Sequence, residues 1–421
     1  MRVRFLGGAR EVGRSAVLVD DSLLLDYGMS GGTHSRYPPD VEPEAVVVSH
    51  GHLDHTGMVP ALLKGTRRPP VHWTKATRDL ATLLAEDTLS IQGDRYDQPF
   101  TRAEIGALGE VSVTHPYGES FQAAGYEVTL FDAGHIPGSA HVLVDDGDTR
   151  VLYTGDFNTG DQRLVEPSTA RPAADAVIVE STYADVTRPP RSEIEDAFVQ
   201  AVTETVHRGG TVVVPAFAIG RTQEMMLLCE SNDIECYVDG MGIEVTDRLR
   251  HAPAFVRDPE RYRRASGHAR FVTGRDGQRR RIAAKNTVIV TTAGMLAGGP
   301  AMTYVPAVAG NPTNLIAMTG YQVEGTPGRD LLETGSAEID GRHRPVSARV
   351  RQFDFSAHAD RTGVLSLLES YRDATVFVNH GDQCERFAAD LRDMGFDASA
   401  PAPGETVAVA SSKRGVRKES V

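Results

Sequence analysis

The chain has 421 residues, which is more than one ordinary domain needs and enough for two or three hydrophobic cores. Its 40% hydrophobic and 24% charged residues are typical of globular proteins, and no apolar run approaches the about 20 residues that a membrane-spanning helix requires. A formal net charge of −13 argues against a protein that coats nucleic acid with its whole surface. Three cysteines are too few for a disulfide framework. The sequence opens on a strand pattern without a leader, which predicts a cytoplasmic protein.

Four short strands separated by turns are predicted in the first fifty residues. Apolar runs lie at residues 3–6, 15–19, 23–26 and 45–48, and glycine or aspartate pairs separate them as turn residues do. The third run ends in Asp26, at a strand end where active-site groups often lie. On its own, such an aspartate is more often a turn former than a functional group.

The fourth strand leads into a dense cluster of metal-binding residue types at residues 49–55, which read Ser-His-Gly-His-Leu-Asp-His. Imidazole nitrogens and carboxylate oxygens are ligands that zinc and similar ions favour. Alternate side chains of an extended segment point the same way, so His50 and His52 can approach one metal together. Asp54 and His55 lie where the chain turns into a helix and could serve a neighbouring metal. The pattern predicts half of a two-metal site, and the alternative is a surface loop that happens to be rich in histidine.

Further candidate ligands follow later in the chain. Helices are predicted over residues 74–92 and 102–108, where apolar positions recur at helical spacing. Beyond them, His135 lies in a glycine-bracketed loop between two predicted strands, and Asp156 and Glu180 each end an apolar run. A lone histidine or aspartate at a strand end is usually structural, so none of these residues is decisive alone.

The order of these groups is more informative than any one of them. Asp26, the cluster at residues 49–55, His135 and Asp156 each come at the end of a strand, in that order. This ordered set resembles the first four sequence motifs of the metallo-β-lactamase superfamily. The resemblance implies an α/β fold in which two sheets pack face to face with helices outside, an αββα sandwich whose ligands lie on loops along one edge.

After Glu180 the lactamase pattern stops, and strands alternate with helices as in a parallel α/β domain. The first of these helices, predicted over residues 192–207, has Ser192 and Glu195 at the spacing of a capping box. Three segments of this block resemble the β-CASP branch of the superfamily, whose members process nucleic acids. These segments are residues 215–224, 292–300 and 319–326.

The resemblance also implies a division into domains. A lactamase domain would be formed in two parts by residues 1–184 and 351–421, and residues 185–350 would form an inserted β-CASP α/β domain, a lid across the metal cleft. Within the branch, the chain is most similar to short archaeal homologues of the cleavage and polyadenylation endonuclease, without KH domains. The polar tail at residues 411–421 is expected to be frayed.

The family pattern assigns the metal ligands residue by residue. It implies one Zn²⁺ held by His50, His52 and His135, another held by Asp54, His55 and His380, and Asp156 bridging both. A hydroxide shared by the metals would attack phosphorus, with Asp54 in the catalytic group and Asp26 orienting ligands or water. His358 would act as general acid on the departing ribose oxygen, and Glu180 would keep that imidazole oriented.

RNA is the substrate that the resemblance favours, because RNA-cleaving members of the branch are similar to this chain in having histidine at the position of His380. Cleft-lining groups are expected at Arg221, Gly294, Gly298, Gly299 and Gly320. Residues 248–281 contain eleven arginines against three acids, which either bind phosphate or form a solvated edge. A homodimer is consistent with the family, without a sequence signal of its own.

The expected function is therefore a two-zinc ribonuclease, acting as an endonuclease, a 5′-to-3′ exonuclease or both, in RNA processing or decay. Two alternatives stay open at this point. A small-molecule metallohydrolase acting on thioesters or lactones would use the same first four motifs, although it would need neither the insertion nor His358. A non-catalytic RNA-binding subunit is the other alternative, and it would be expected to have lost ligands.

Overall fold

The computed structural model describes residues 1–30, 35–92, 98–320, 322–339 and 342–410. Tyr321, within one β-CASP-like segment, and the tail at residues 411–421 therefore lie outside the described residues. The chain divides into two compact units. The first consists of Met1–Gly160, Pro167–Thr187 and His358–Val421, and the second of Asp161–Glu166 and Arg188–Ala357.

The first part of the first unit contributes eleven strands and three α-helices among the described residues. The strands are β1 (Arg2–Gly7), β2 (Ala16–Val19), β3 (Leu23–Leu25), β4 (Ala45–Val47), β5 (Val71–Trp73), β6 (Ser112–Thr114), β7 (Ser120–Ala123), β8 (Tyr126–Asp132), β9 (Ala140–Asp145), β10 (Arg150–Tyr153) and β11 (Ala176–Glu180). The helices are α1 (Leu53–Thr56), α2 (Lys75–Gln92) and α3 (Arg102–Val111), with a 3-10 turn at Val59–Leu63.

The second unit alternates helices with strands. Its helices are α4 (Arg191–His207), α5 (Arg221–Ser231), α6 (Gly242–Arg250), α7 (Pro259–His268), α8 (Asp276–Ala283), α9 (Ala301–Val308) and α10 (Pro327–Thr334), with a 3-10 turn at Pro253–Phe255. Its strands are β12 (Val212–Pro215), β13 (Cys236–Asp239), β14 (Arg270–Phe271), β15 (Val288–Thr291), β16 (Leu315–Met318), β17 (Ser336–Ile339), β18 (Arg342–Pro345) and β19 (Arg349–Gln352).

The chain then returns to the first unit, whose remaining elements are α11 (Arg361–Leu368), a 3-10 turn at Glu369–Tyr371, β20 (Thr375–Asn379), α12 (Cys384–Asp393), β21 (Asp397–Ser399) and β22 (Thr406–Ala408). Two seven-stranded sheets result, in the orders β22-β1-β2-β3-β4-β5-β6 and β21-β20-β11-β10-β9-β8-β7. In each sheet, antiparallel strands give way to parallel ones: β3 to β6 run parallel in the first, and β10, β11, β20 and β21 in the second.

Alternation along the strands explains the layers. Successive side chains of a strand point to opposite faces, so an all-apolar run can be buried on both sides. Leu23 and Leu25 face the core between the two sheets, whereas Leu24 packs in a separate core against residues of α2 and α3. On the second sheet, Val177 and Val179 pack in the same way against α11 and α12. The first unit is therefore a four-layered αββα sandwich.

The second unit has a six-stranded, fully parallel sheet in the order β14-β13-β15-β12-β16-β19, and a separate hairpin of β17 and β18. The alternating helix and strand pattern predicted this parallel arrangement. The predicted cap of its first helix is wrong, because α4 begins at Arg191 and Ser192 lies within its first turn. Glu195 instead forms an ion pair with Arg163 of the same unit.

Among the described residues no helix has the length and hydropathy needed to cross a bilayer.

Candidate metal centre

Parallel strands explain why residues distant in sequence meet at one edge of the first unit. Asp26 directly follows β3, and the cluster at residues 49–55 follows β4, its parallel neighbour. In the opposite sheet, Asp156 follows β10 and His380 follows β20, which run in the same direction. His135 follows β8, which shares that direction because it is separated from β10 by one antiparallel strand. Carboxyl ends of parallel strands lie at the same edge of a sheet, so all of these loops converge.

The first group of ligands consists of His50, His52, His135 and Asp156, whose donor atoms all lie within 4.8 Å of one another. His50 Nε2 is 3.5 Å from Asp156 Oδ2, and His135 Nε2 is 3.0 Å from His52 Nδ1. His50 and His135 are buried, while His52 is partly exposed. The structure thus brings together the three histidines that the family pattern assigned to one metal.

The second group consists of Asp54, His55, His380 and again Asp156, with donor atoms within 4.8 Å of one another. His55 Nε2 is 3.4 Å from Asp156 Oδ1, and His380 Nε2 is 3.7 Å from the same oxygen. In the first group, by contrast, the Asp156 oxygen nearest to His50 and His135 is Oδ2. Asp156 therefore directs one oxygen toward each group, as a bridging carboxylate would.

Unsatisfied buried atoms indicate that this donor set is built for cations. His50 Nε2 and Asp156 Oδ1 are both buried and have no hydrogen-bond partner. Buried polar atoms are otherwise nearly always paired, because an unpaired one costs free energy. A metal ion would satisfy both atoms with ligand types that it prefers. The residues present therefore fit metal ions.

The pKa values of His50, His52 and Asp156 favour the metal-binding protonation states, whereas for His55 the lowering effect of burial is outweighed by Asp156 and Asp26, which hold its pKa well above its usual value. Burial, helped by the neighbouring His55, holds the pKa of His50 well below its usual value, and burial lowers the pKa of His52 to about 4. Both imidazoles are thus neutral, which is the form that binds metals. Burial by itself would raise the pKa of Asp156, but His380 and His55 outweigh it and hold that pKa well below its usual range.

Asp26 is fully buried behind the second group, with a left-handed backbone (φ 57°). Its carboxylate accepts hydrogen bonds from the Ser49 backbone N–H (2.6 Å), the Ser49 hydroxyl (2.7 Å) and the Tyr153 hydroxyl (2.8 Å). It also lies 2.6 Å from His55 Nδ1, which directs His55 Nε2 toward Asp156. This is the orienting position that the family pattern gave to Asp26. Sequence reasoning missed Ser49 and Tyr153, although Tyr153 closes a strand three residues before Asp156, directly after the apolar Val151 and Leu152.

Ser15 is a second supporting residue that sequence reasoning missed. It is fully buried, and its hydroxyl lies 2.7 Å from His380 Nδ1 and 3.3 Å from His55 Nε2. His380 has a left-handed backbone (φ 46°), and its N–H donates to the carbonyl of Gly8 (2.7 Å). The loop between β1 and β2 therefore holds both the backbone and the ring of His380. The ring presents Nε2 to the second group as a result.

Gly28 shows how closely the loops are packed beside the ligands. A Cβ atom at this position would lie 1.7 Å from the backbone carbonyl oxygen of Asp54, and no side chain could relieve that overlap. The Gly28 N–H donates to the Ser15 carbonyl, and the Ser15 N–H donates to the same Asp54 carbonyl. Glycine is needed here for close approach of backbones rather than for an unusual φ.

His358 and Glu180 form a pair at the same edge. His358 Nδ1 lies 2.9 Å from Glu180 Oε1, and the other oxygen of Glu180 accepts a hydrogen bond from the Thr182 N–H (3.1 Å). Glu180 is buried, whereas the side chain of His358 is 18% exposed. The side chains of His50 and His135, in the first ligand group, are 0% and 1% exposed. His358 Nδ1 is also 3.9 Å from Asp156 Oδ2. These three residues could themselves hold a cation, but the exposure and carboxylate partner of His358 equally suit a proton donor.

The residues predicted to line an RNA cleft all lie in the second unit. Arg221 opens α5 and is largely buried. Gly294 and Gly320 both abut Phe217, since a Cβ atom on Gly294 would lie 2.9 Å from the Phe217 nitrogen and one on Gly320 2.8 Å from its ring. Gly298 and Gly299 follow β15 and have positive φ angles of 147° and 66°. The structure thus groups Gly294 and Gly320, and it leaves the contact of all five residues with RNA as a prediction.

Comparison with protein families gives three matches along the chain. A metallo-beta-lactamase superfamily model matches residues 9–211, a Beta-Casp domain matches residues 222–331, and a Zn-dependent metallo-hydrolase RNA specificity domain matches residues 344–401. The three matches follow one another without overlap.

Curated relatives come from archaea. "RNase aCSPSF2" of Saccharolobus solfataricus is 34% identical over 97% of this chain and 85% of that protein. "Probable RNase MJ4" of Methanocaldococcus jannaschii is 31% identical over 97% of this chain and all of that protein, and "Transcription termination factor FttA" of the same organism is 33% identical over 93% and 69%. Among solved structures, a protein of unknown function from Enterococcus faecalis V583 shares the fold, with a TM-score of 0.62, 13% identity, and coverage of 96% of this chain and 99% of that one.

Proposed function

The chain belongs to the β-CASP branch of the metallo-β-lactamase superfamily, as its motifs predicted, and we propose from this premise that it is a metal-dependent ribonuclease acting in RNA processing or decay. The observation that carries the proposal is Asp156, which presents one carboxylate oxygen to each of two ligand groups. Such a shared carboxylate is typical of two-metal sites that act on phosphate esters. The predicted fold class is confirmed by the same family matches.

We propose two Zn²⁺ ions as the cofactors, held by the ligands His50, His52, His135, Asp54, His55 and His380, with Asp156 shared. When bound, the ions supply Lewis-acid activation of water and neutralise charge at the phosphate. Asp26 and Ser15 act from behind, keeping the rings of His55 and His380 turned toward the substrate side. The geometry of the second group depends on them for that reason.

His358 is the proposed general acid. Glu180 accepts the hydrogen bond of His358 Nδ1–H, which fixes the ring and stabilises its protonated form. The proton on Nε2 can then pass to the departing ribose oxygen, which is a poor leaving group without it. Glu180 is itself held in place by two backbone N–H groups, those of Phe157 and Thr182. The pair can therefore donate and recover a proton without moving.

Some finer points of the proposal rest on family resemblance. They are a lid formed by residues 185–350 between the lactamase parts 1–184 and 351–421, RNA contacts from Arg221, Gly294, Gly298, Gly299 and Gly320, a homodimer, and a cytoplasmic location. Light scattering of the purified protein would test the dimer, for which a mass near twice 45.4 kDa is expected. A mass of one chain at all concentrations would contradict it.

Product analysis with end-labelled substrates tests the activity. RNA labelled at either the 5′ or the 3′ end, DNA of the same sequence and a thioester are incubated with the protein and added zinc. Shortened RNA, uncut DNA and intact thioester are expected. Internal fragments from both labels would identify an endonuclease, and release of labelled mononucleotide from the 5′ label alone an exonuclease.

Asp156→Asn is the matched control for a contaminating nuclease, because the amide keeps the size of the side chain but not its charge. Asp79→Asn changes a carboxylate that pairs with Lys75 on α2 and should leave cleavage unchanged. Thioester cleavage without RNA cleavage would favour the small-molecule hydrolase, and RNA binding without any cleavage would favour the non-catalytic subunit. RNA cleavage that survives in Asp156→Asn would contradict the proposed site.

A further inference from the structure

The arginine-rich segment at residues 248–281 separates into two classes in the structure. Five of its arginines form ion pairs with carboxylates of the second unit: Arg257, Arg261, Arg264, Arg270 and Arg279. Each of these guanidinium groups thus already has a carboxylate partner within the protein. Arg279 is the clearest case, since its guanidinium makes two hydrogen bonds to the buried carboxylate of Asp239.

Six arginines of the segment form no ion pair with a carboxylate anywhere in the described ranges: Arg248, Arg250, Arg263, Arg275, Arg280 and Arg281. All six are exposed. Exposure alone is expected of arginine and indicates no ligand. Arg250 and Arg263 differ from the others because both line the same cavity, although they belong to different helices, α6 and α7.

This cavity has a volume of about 480 Å³, within the range of about 300–1,000 Å³ that is usual for small-ligand sites. Apolar side chains form part of its wall, namely the exposed Pro253 and Pro259 and the accessible edges of the largely buried Leu249, Val256 and Tyr262. The Tyr262 hydroxyl donates to the Thr246 carbonyl (3.2 Å), so the phenol adds a ring to the wall without leaving a polar atom unsatisfied. The wall is therefore suited to a flat, weakly polar group.

The charge on the lining is positive. Arg250 and Arg263 face one acidic lining residue, Asp247, and His251 adds an imidazole whose Nδ1 bonds to the Asp247 carbonyl (2.9 Å). An apolar wall flanked by two unpaired guanidinium groups is complementary to a ligand with a flat ring at one end and a phosphate at the other. A nucleotide has both parts, and its size matches the cavity.

We propose that this cavity, between α6 and α7, binds one nucleotide of a single-stranded RNA. The base packs against the exposed Pro253 and Pro259 beside the edge of Tyr262, and the phosphate lies between Arg250 and Arg263. Every lining residue lies between positions 247 and 263, so the site shares no residue with the metal ligands. The choice of RNA over a free nucleotide rests on the proposed ribonuclease function, whereas the nucleotide chemistry rests on the cavity alone.

Binding is measured by fluorescence anisotropy with a labelled oligouridylate of about 12 nucleotides, in a chelator that prevents cleavage. Arg250→Glu/Arg263→Glu should weaken binding about tenfold or more at ~0.1 M salt. It should also reduce the slope of log affinity against log salt by about 0.7, the value for one single-strand phosphate contact. The matched control is Arg208→Glu/Arg329→Glu, which reverses two surface arginines of the same unit that already pair with glutamates one helical turn away.

The two double variants carry the same charge change, so their comparison isolates the cavity. An equal loss of affinity in both would reduce the effect to overall charge and overturn the site, as would unchanged affinity in the cavity variant. Uridine monophosphate is the second probe. If it binds as tightly as the oligomer and loses affinity in the cavity variant, the cavity takes a free nucleotide and the RNA assignment is overturned.

Cleavage of labelled RNA is measured separately with zinc present. If the wild-type protein does not cleave RNA and the cavity variant specifically loses binding, the proposed function is rejected and the nucleotide site is kept. If the wild-type protein cleaves RNA and the cavity variant binds RNA as tightly as wild type, the nucleotide site is rejected and the proposed function is kept.

Discussion

Replacing Ser15 by alanine tests whether the second ligand group depends on the loop behind it. The Ser15 hydroxyl is fully buried and lies 2.7 Å from Nδ1 of His380, a histidine whose backbone is also held by that loop. Alanine removes the hydroxyl and leaves that ring nitrogen buried without this partner. The ring then has less to keep its Nε2 directed toward Asp54 and Asp156.

The size of the effect follows from the burial. Removing the partner of a buried polar group costs about 1–3 kcal/mol, and about 1.4 kcal/mol corresponds to a tenfold change in an equilibrium constant. If the cost falls on the orientation of His380, zinc affinity at the second group should drop about 10- to 100-fold, the usual effect of altering a residue that orients a ligand. The ligands of the first group do not contact Ser15, so affinity there should change little.

The assay is competition for zinc with a chromophoric chelator, which resolves the stronger and the weaker site of each protein. Ser22→Ala is the control, since that hydroxyl donates to the Val19 carbonyl, at 3.4 Å, at the turn between β2 and β3. Cleavage of RNA by Ser15→Ala should fall in parallel with occupancy and recover when zinc is raised. Zinc affinity within twofold of wild type at both sites would refute the role of Ser15.

Three other predictions concern different parts of the chain. His358→Ala should retain its zinc but lose about 100- to 10,000-fold in RNA cleavage, and Glu180→Gln should lose less because the amide still bonds the ring; near-normal turnover of His358→Ala in single-turnover kinetics would reject the general acid. Burial, with a neighbouring histidine, lowers the pKa of His72 from 6.5 to about 4 in the folded state, so the unfolded chain takes up a proton first and stability declines as pH falls from 6.5 toward 4. Denaturation at several pH values should show a shallower decline of stability for His72→Phe, and the same slope as wild type would contradict the lowered pKa of His72. Asp239→Ala should destabilise the protein by about 3 kcal/mol in urea unfolding, because it leaves Arg279 and a buried phenol without their shared carboxylate; a change below about 1 kcal/mol would show that the pair is dispensable.

The metal ligands could be predicted because their signals are local. Each candidate ligand comes at or just after the end of an apolar run, and residue type plus order along the chain sufficed to single these residues out, although Asp156 and His380 are far apart in sequence. The αββα layering was implied by the family resemblance, and all-apolar strands, which are buried on both faces, agree with it. The family pattern supplied the pairing of ligands into groups, which spacing alone left open.

The supporting residues could not be predicted in the same way. Ser15 contacts His380 across 365 residues of sequence, and Tyr153 reaches Asp26 across 127, so neither contact has a local signature. Serine and tyrosine near a strand end are too common to indicate a role.

The sequence also could not show which arginines of residues 248–281 are paired within the protein. The eleven arginines look alike in sequence, but ion pairs with distant carboxylates occupy some of them and not Arg250 or Arg263. The α4 cap failed for a related reason, since Glu195 is used by Arg163, another residue remote in sequence. Which charges remain available is decided by tertiary contacts.

We propose that the two ligand groups sharing Asp156 form one hydrolytic centre for RNA. The most direct test of this proposal is the rate of RNA cleavage as zinc is returned to metal-stripped protein, measured against zinc bound per chain. We expect little cleavage up to one equivalent, a steep rise between one and two, and no restored cleavage in Asp156→Asn at any zinc level. Full activity with a single bound equivalent, or with none, would contradict it.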